Sequence, residues 1–191
     1  MVTVKRRATL ATGISVALVG LSKRVAFAQG AQPGMQNRSY EDGFTVMASN
    51  PQLSGWVELV QRSGLAPGAR GVSPYTVFAP TNVALNERPD IRQMLLPTGV
   101  EAFPDTRELI TLIRAHVVYG LHPLDEFKCK KVTLQSVSGV PIEVDGTNPQ
   151  AITVTWQSVE GQKGQGTLQG QPILASNADI YPIDKIMLAR R

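Results

Sequence analysis

The sequence predicts an α+β fold built around one principal domain, and three observations carry that reading. Apolar residues recur at helical spacing as far as Val117 and at strand spacing from Val132 onward, so helices cluster first and strands later rather than interleaving as βαβ units. The exception is Tyr75 to Asn82, YTVFAPTN, a β-rich run that Pro80 ends and that passes straight into a helix start. Finally, the chain beyond residue 28 has a length that suits one domain with one sizeable core.

The elements follow in order. Residues 1–28 read as an export signal: Lys5, Arg6 and Arg7 form a basic start, Ala8 to Ser22 is uncharged and mostly apolar, and Ala26-Phe27-Ala28 is an A-x-A cleavage site. Cleavage there leaves Gln29 as the new N-terminus. The Arg6-Arg7 pair, with Leu10 behind it, points to the twin-arginine route; an uncleaved signal anchor is the competing reading. Residues 29–40 are polar, glycine-bearing and without period, as in a flexible leader. The domain then spans 41–191, its first element near Glu41 or Phe44.

From Leu53, apolar residues at Trp56, Val57 and Val60 with Gly64 behind them predict a short amphipathic helix. Pro67 to Ser73 is expected to be a loop. After the strand at Tyr75, Thr81 and Asn82 can cap a helix over Val83 to Asn86; Pro89 opens another, with Ile91, Met94 and Leu95 on its apolar side and Pro97 as its stop. Asp105 caps a longer helix whose stripe is Leu109, Ile110, Leu112, Ile113, His116 and Val117, closed by Gly120 and Pro123. Strands follow over 132–146, 151–160 and 166–176, with Asp145-Gly146 as a turn and Gly161 to Gly170 as a mobile hairpin end or loop. The segment IYPIDKIMLA is a last strand returning to the core, and Arg190 and Arg191 form a solvated tail.

Charge and cysteine usage exclude several function classes. Five of the 19 Lys and Arg lie in the export segment with none of the 15 acids, so 14 bases face 15 acids in the remainder, a net charge of −1. That near-neutral surface gives no electrostatic footprint for nucleic acid. A single cysteine, Cys129, makes no internal disulfide, so packing must hold the fold. Its neighbours Lys128, Lys130 and Lys131 could lower its pKa, yet no histidine or acid is arranged around it in sequence, and an incidental thiol is the simpler reading.

YTVFAPTN resembles the first signature box of the fasciclin-like (FAS1) domain. LIRAHVVYG at 112–120 is similar to the family's central histidine-bearing helix, ASNADIYPIDKIML at 175–188 to its second box, and NPQLSGWVELVQRSGL to its opening helix. Together these span about residues 41 to 190. The resemblance implies a helical layer on a β-sandwich or wedge, and a role in adhesion or in binding proteins or matrix outside the cytoplasm. The motif positions it marks are Thr76, Val77, Phe78, Ala79, Pro80, Thr81, Asn82, His116, Val117, Val118, Ser176, Asn177, Ile183 and Asp184. Ala115 replaces the usual tyrosine before the histidine, Ala178 the usual glycine, and Tyr181-Pro182 a usual histidine and apolar residue. The tyrosine-histidine adhesion segment of animal members is therefore incomplete, and an integrin-type role does not carry over.

Catalytic chemistry has little support. His116, on an apolar stripe, reads as a neutral core imidazole bonded to backbone groups or to the first box, ahead of a ligand or general base. His122, beside Pro123 and Asp125, is expected to be exposed. Two histidines and one cysteine show no metal-ligand spacing, no G-x-S-x-G elbow frames a serine, and the glycines of 161–166 lack G-K-[ST] and lie among strands. No cofactor is expected. Asn82 reads as a helix cap and Asp184 as a satisfied acid near Lys185; Trp156 lies on the apolar face of its strand. The expected function is thus non-catalytic binding through protein or surface contact. Two alternatives are a small accessory subunit of an exported, membrane-associated enzyme complex and a carrier of an apolar molecule such as a pigment or lipid. The flanks of the first box and the 161–170 stretch are the candidate recognition surfaces.

Overall fold

The computed structural model describes residues 38–93, 106–157, 161 and 163–188. The export signal, the leader up to residue 37, Met94, Leu95, Pro97, the Asp105 cap and the Arg190–Arg191 tail lie outside the described residues. Two short helices open the domain, α1 (Gly43–Ala48) and, after a 3-10 turn at Pro51–Leu53, α2 (Ser54–Arg62). Asp42 accepts from Thr45 N to cap α1, and Gly64, at φ 75°, ends α2 where its spacing predicted. Next come α3 (Ala66–Ala69), β1 (Tyr75–Pro80), α4 (Asn82–Asn86), α5 (Pro89–Gln93), α6 (Thr106–Ala115), β2 (Val117–Tyr119) and α7 (Leu124–Phe127). Six strands complete the chain: β3 (Lys131–Gln135), β4 (Pro141–Asp145), β5 (Thr153–Gln157), β6 (Lys163–Thr167), β7 (Ile173–Leu174) and β8 (Ala178–Ile183).

The strands form two sheets, ordered β2-β1-β8-β7 and β3-β4-β5-β6. The two signature boxes are adjacent: β1 and β8 run parallel, paired from Tyr75–Ala178 to Pro80–Ile183, and the other named pairs are antiparallel. Both central strands are buried at every position, because each face of their sheet meets an apolar layer. Val77, Ala79, Ala178 and Ile180 pack against Phe44, Met47, Trp56, Leu59 and Ile113 of the helices. On the opposite face Phe78, Tyr181 and Ile183 meet Ile142, Val144, Val154 and Trp156 of the second sheet. That second sheet is one-sided, so buried residues alternate with exposed or half-buried ones along β4 and β5. The α+β architecture with a helical layer on a β-sandwich stands.

Several local expectations change. The start of the Pro67–Ser73 loop is instead helical, part of α3, since Pro67 presets the backbone for a helical turn. Pro80 ends the strand from within the ladder, opposite Ile183. The stripe through His116 and Val117 is not one helix: α6 stops at Ala115, and Val117 and Val118 pair with Val77 and Thr76. Helical spacing continues there in sequence, but two β-branched residues beside an open strand edge gain more from the ladder. Gly120 therefore follows a strand, at φ 89°.

The 161–170 stretch, expected as a hairpin end or a loop, contains β6, which pairs antiparallel with β5. Its glycines clear space: a Cβ on Gly164 would stand 2.4 Å from the Trp156 indole, and one on Gly166 3.1 Å from Asp184 Oδ1. At the other end of the domain, the last residues assigned to the leader are tied down. Ser39 N donates to Leu174 O at 2.8 Å, and Arg38 Nη1 donates to Ala175 O at 2.8 Å.

Candidate functional site

The motif residues build the scaffold on which a site can sit. Thr76 Oγ1 donates to Gly120 O at 2.8 Å and accepts from His122 N at 3.0 Å, which closes the turn after β2. Thr81, not Asn82, caps α4, accepting from Ala84 N at 3.3 Å. Asn82 reaches back instead to the start of α2: it accepts from Gly55 N at 3.0 Å and donates to Pro51 O at 2.8 Å and Ser54 Oγ at 3.0 Å. Asn177 does the same for α1, accepting from Gly43 N at 2.7 Å and donating to Ala69 O at 3.2 Å and to Gly71 O. Ser176 N donates to Glu41 O at 2.9 Å.

His116 is fully buried. Its Nδ1 donates to Leu112 O at 2.8 Å and its Nε2 accepts from Met187 N at 2.8 Å, which specifies one neutral tautomer. Burial holds its pKa near 4, with the Leu112 carbonyl pulling weakly the other way. Its partners are backbone groups of α6 and of the segment after β8, while its own carbonyl accepts from Phe78 N in the first box. The Trp56 ring packs 4.9 Å from it.

His122 is half-buried rather than exposed: Nδ1 lies 3.1 Å from Glu126 Oε2 and Nε2 3.2 Å from Tyr119 O. Tyr181, where the family pattern has histidine, packs against Phe78 and Phe127 and donates to His122 O at 2.7 Å. Nearby, Asp179 is buried and 2.7 Å from the Arg38 guanidinium, yet neither carboxylate oxygen has a well-aligned hydrogen bond. Desolvation raises its pKa against the pull of Arg38. Among the described residues neither histidine ring is hydrogen-bonded to a serine, threonine or cysteine side chain, and no three His, Cys, Asp or Glu side chains converge as a metal would need. Cys129 is exposed, at φ 59°.

The two candidate recognition stretches meet in one place. A groove of about 340 Å³ runs between the end of α4 and the outer edge of β6. It is lined by Ala84, Glu87 and Arg88 at the end of α4, by Trp156 of β5 with Lys163, Gly164 and Gln165 of β6, and by Lys185, Ile186 and Leu188 after β8. Lys185 is hydrogen-bonded to Glu87, which raises the lysine pKa. Arg88 forks onto Asp90 through Nε at 3.0 Å and Nη2 at 2.6 Å. Asp184 Oδ1 accepts from Thr167 N at 2.7 Å, so this acid is spent on holding the end of β6. Lys163, Gly164 and Gln165 belong to the 161–170 stretch that the sequence offers as a recognition surface, and Lys185 is marked there only as a neighbour of Asp184, whereas Glu87, Arg88, Ile186 and Leu188 carry no sequence signal of a site. Apart from Trp156, the lining residues come from three separated segments, and no local pattern marks their convergence.

The sequence profile of the fasciclin domain matches residues 51–189. Two similar proteins come from Synechocystis sp. strain PCC 6803. Protein sll1483 is 28% identical over 145 residues, 75% of this chain and 71% of that one; uncharacterized protein sll1735 is 29% identical over 122 residues, 62% of this chain and 86% of that one. Among solved structures, a FAS1 domain pair from the insect cell adhesion molecule fasciclin I superposes with a TM-score of 0.60 at 12% identity, over 78% of this chain. The chain spans about half of that two-domain structure, 51% of its length. With the profile covering most of its length and the fold in agreement, this chain belongs to the fasciclin domain family.

Proposed function

We propose that the protein is an exported, non-catalytic binding domain whose recognition face is the groove between α4 and β6. One observation carries this reading: the groove brings the Trp156 indole together with Arg88, Lys163, Lys185 and Glu87, and of these cations Lys185 is paired with Glu87 and Arg88 with Asp90 while Lys163 has no acid partner among the described residues. An aromatic side chain within a charged rim is the composition of a contact surface. The histidines support the same reading, since all four ring nitrogens face scaffold partners rather than a nucleophile. A charged rim also suits a polar partner better than the apolar pigment or lipid of the carrier alternative.

The test is site-specific crosslinking in the envelope of the native host. A photo-crosslinking residue replaces Gln165 in the groove or Val72, an exposed position in the loop before β1. The expected result is a discrete adduct from position 165 that is absent from position 72 and is lost with Arg88→Glu. The same adducts from both positions, or none from 165, would overturn the reading.

A further inference from the structure

The outer edge of β6 is an unfinished ladder. Leu168 N bonds to Ile152 O, so with Trp156 opposite Gly164 and Val154 opposite Gly166, the groups of 164 and 166 face β5. By the alternation of an antiparallel pair, the N–H and C=O of Lys163, Gln165 and Thr167 face outward. At Thr167 both are occupied: its N–H donates to Asp184 Oδ1 at 2.7 Å and its C=O accepts from Asp184 N at 3.2 Å. The chain therefore makes the first rung of a further strand itself. It then turns away, and Met187 N is committed to His116 in the core. The outward backbone groups of Gln165 and Lys163 have no hydrogen-bond partner among the described residues. The groove begins where that rung ends, lined by the same Lys163, Gly164 and Gln165.

We infer that this groove takes an extended, acidic peptide segment of a partner protein as an added strand on the free edge of β6. The inference rests on the proposed binding role and names its mode and the chemistry of the partner. Main-chain bonds to Gln165 and Lys163 supply the pairing, as in strand addition to other exposed sheet edges. Side chains of the added strand alternate between faces. One set follows the face of Gly164, toward Trp156, and is apolar; the other follows the side chains of Lys163 and Gln165 and is acidic, because Lys163 is the lining cation with no acid partner among the described residues, whereas Lys185 is paired with Glu87 and Arg88 with Asp90. A nucleic acid or an acidic glycan would meet the same cations but leave the backbone groups of β6 unpaired.

The experiment titrates the isotope-labelled protein, followed by NMR, with a short synthetic peptide in which glutamate alternates with valine. Three comparison probes follow: the same peptide with alternate backbone amides N-methylated, a version with lysine for glutamate, and an oligogalacturonate. The expected result is binding of the acidic peptide with slowed hydrogen exchange at the Gln165 and Lys163 amides, and affinity lower by about tenfold or more for the N-methylated and lysine versions. Gln165→Pro removes the outward N–H at an edge position that tolerates proline; it is expected to weaken the acidic peptide by about tenfold while the β5–β6 amides stay protected. Equal binding of the N-methylated peptide, a glycan that binds as well as the acidic peptide, no binding at millimolar peptide, or an unchanged affinity in folded Gln165→Pro would each overturn strand addition. The envelope crosslink from position 165 would survive any of these failures if the groove binds by another mode, and its loss alone counts against the binding role.

Discussion

The His116 node and the β6 edge are the same kind of place treated in opposite ways. Each lies where the segment after β8 meets an earlier part of the chain. At His116 both ring nitrogens have a backbone partner and the residue is sealed under Trp56. At β6 the same segment completes one rung through Asp184 and leaves the next outward groups unpaired beside a charged groove. Buried polar groups that are fully bonded specify a fold, whereas exposed, partly bonded ones are available to a partner. The difference separates the family's histidine, which holds this domain together, from the surface where recognition is proposed.

The strongest way to break the comparison is His116→Leu, which keeps volume but leaves Met187 N–H and Leu112 C=O buried without partners. At about 1–3 kcal/mol for each such group, the expected loss is roughly 3 kcal/mol in denaturant melts. A loss well below ~1 kcal/mol would mean that the node is not the fastening described.

A pH series probes the same node with a slightly smaller effect. The folded imidazole titrates near 4, against 6.5 for an unperturbed histidine, so between those values the unfolded chain binds a proton that the folded protein refuses. Stability contributed by His116 is therefore intact above about pH 6.5 and falls as the pH drops to 4, by at most about 3 kcal/mol. Asp179 slopes the other way: its raised folded pKa means that the unfolded carboxylate ionises first, so its contribution diminishes as the pH rises above 3.8. The decisive measurement is the difference between wild type and His116→Leu across that window, because Asp179 is common to both. Parallel curves would contradict a neutral buried His116.

These two regions also differ in how far sequence alone discloses them. The strand-to-helix corner is legible because YTVFAP is β-rich and Thr81 accepts from Ala84 N as a cap should. The spacing of Trp56, Val57 and Val60 is local, and α2 follows it. The end of α6 is not legible, since His116 and Val117 continue the helical period and only pairing with β1 diverts them. Asn82 has the composition of a cap, but its bonds reach residues 51 to 55, a tertiary fact. β6 reads as a loop because glycine is a poor strand former, while its actual role depends on Trp156 and Asp184, which lie opposite it only in the folded chain. The groove inherits that illegibility.

Gly164→Ala sharpens the groove side. The added methyl would stand 2.4 Å from Trp156 Cε2 and Cζ2, rigid ring atoms with little freedom to yield, so the indole or the strand must move. Overpacking of this kind typically costs 1–3 kcal/mol, and about 1–2 kcal/mol is expected here together with a shifted Trp156 emission. Trp56, sealed in the other core, should keep its own signal. An unchanged spectrum and stability would show that Gly164 is not there to make room for the ring.

The smallest expected change in stability comes from Arg88→Ala, and its smallness is the point. Arg88 is about a third exposed and its partner Asp90 more so. Even a forked pair in that setting contributes only about 0.5 kcal/mol net, because water screens it and two long side chains must be held still. Losing it also lets the Asp90 carboxyl rise from its depressed pKa, since the Arg88 hydrogen bond is the first cause of that depression. The variant should therefore melt within about 0.5 kcal/mol of wild type, with a difference that vanishes in high salt. If groove adducts from position 165 nevertheless fall severalfold, the cation serves a partner and not the fold, which is the asymmetry between the two regions in its simplest form. Arg88→Ala that destabilises like His116→Leu would instead make the rim part of the scaffold and remove the distinction.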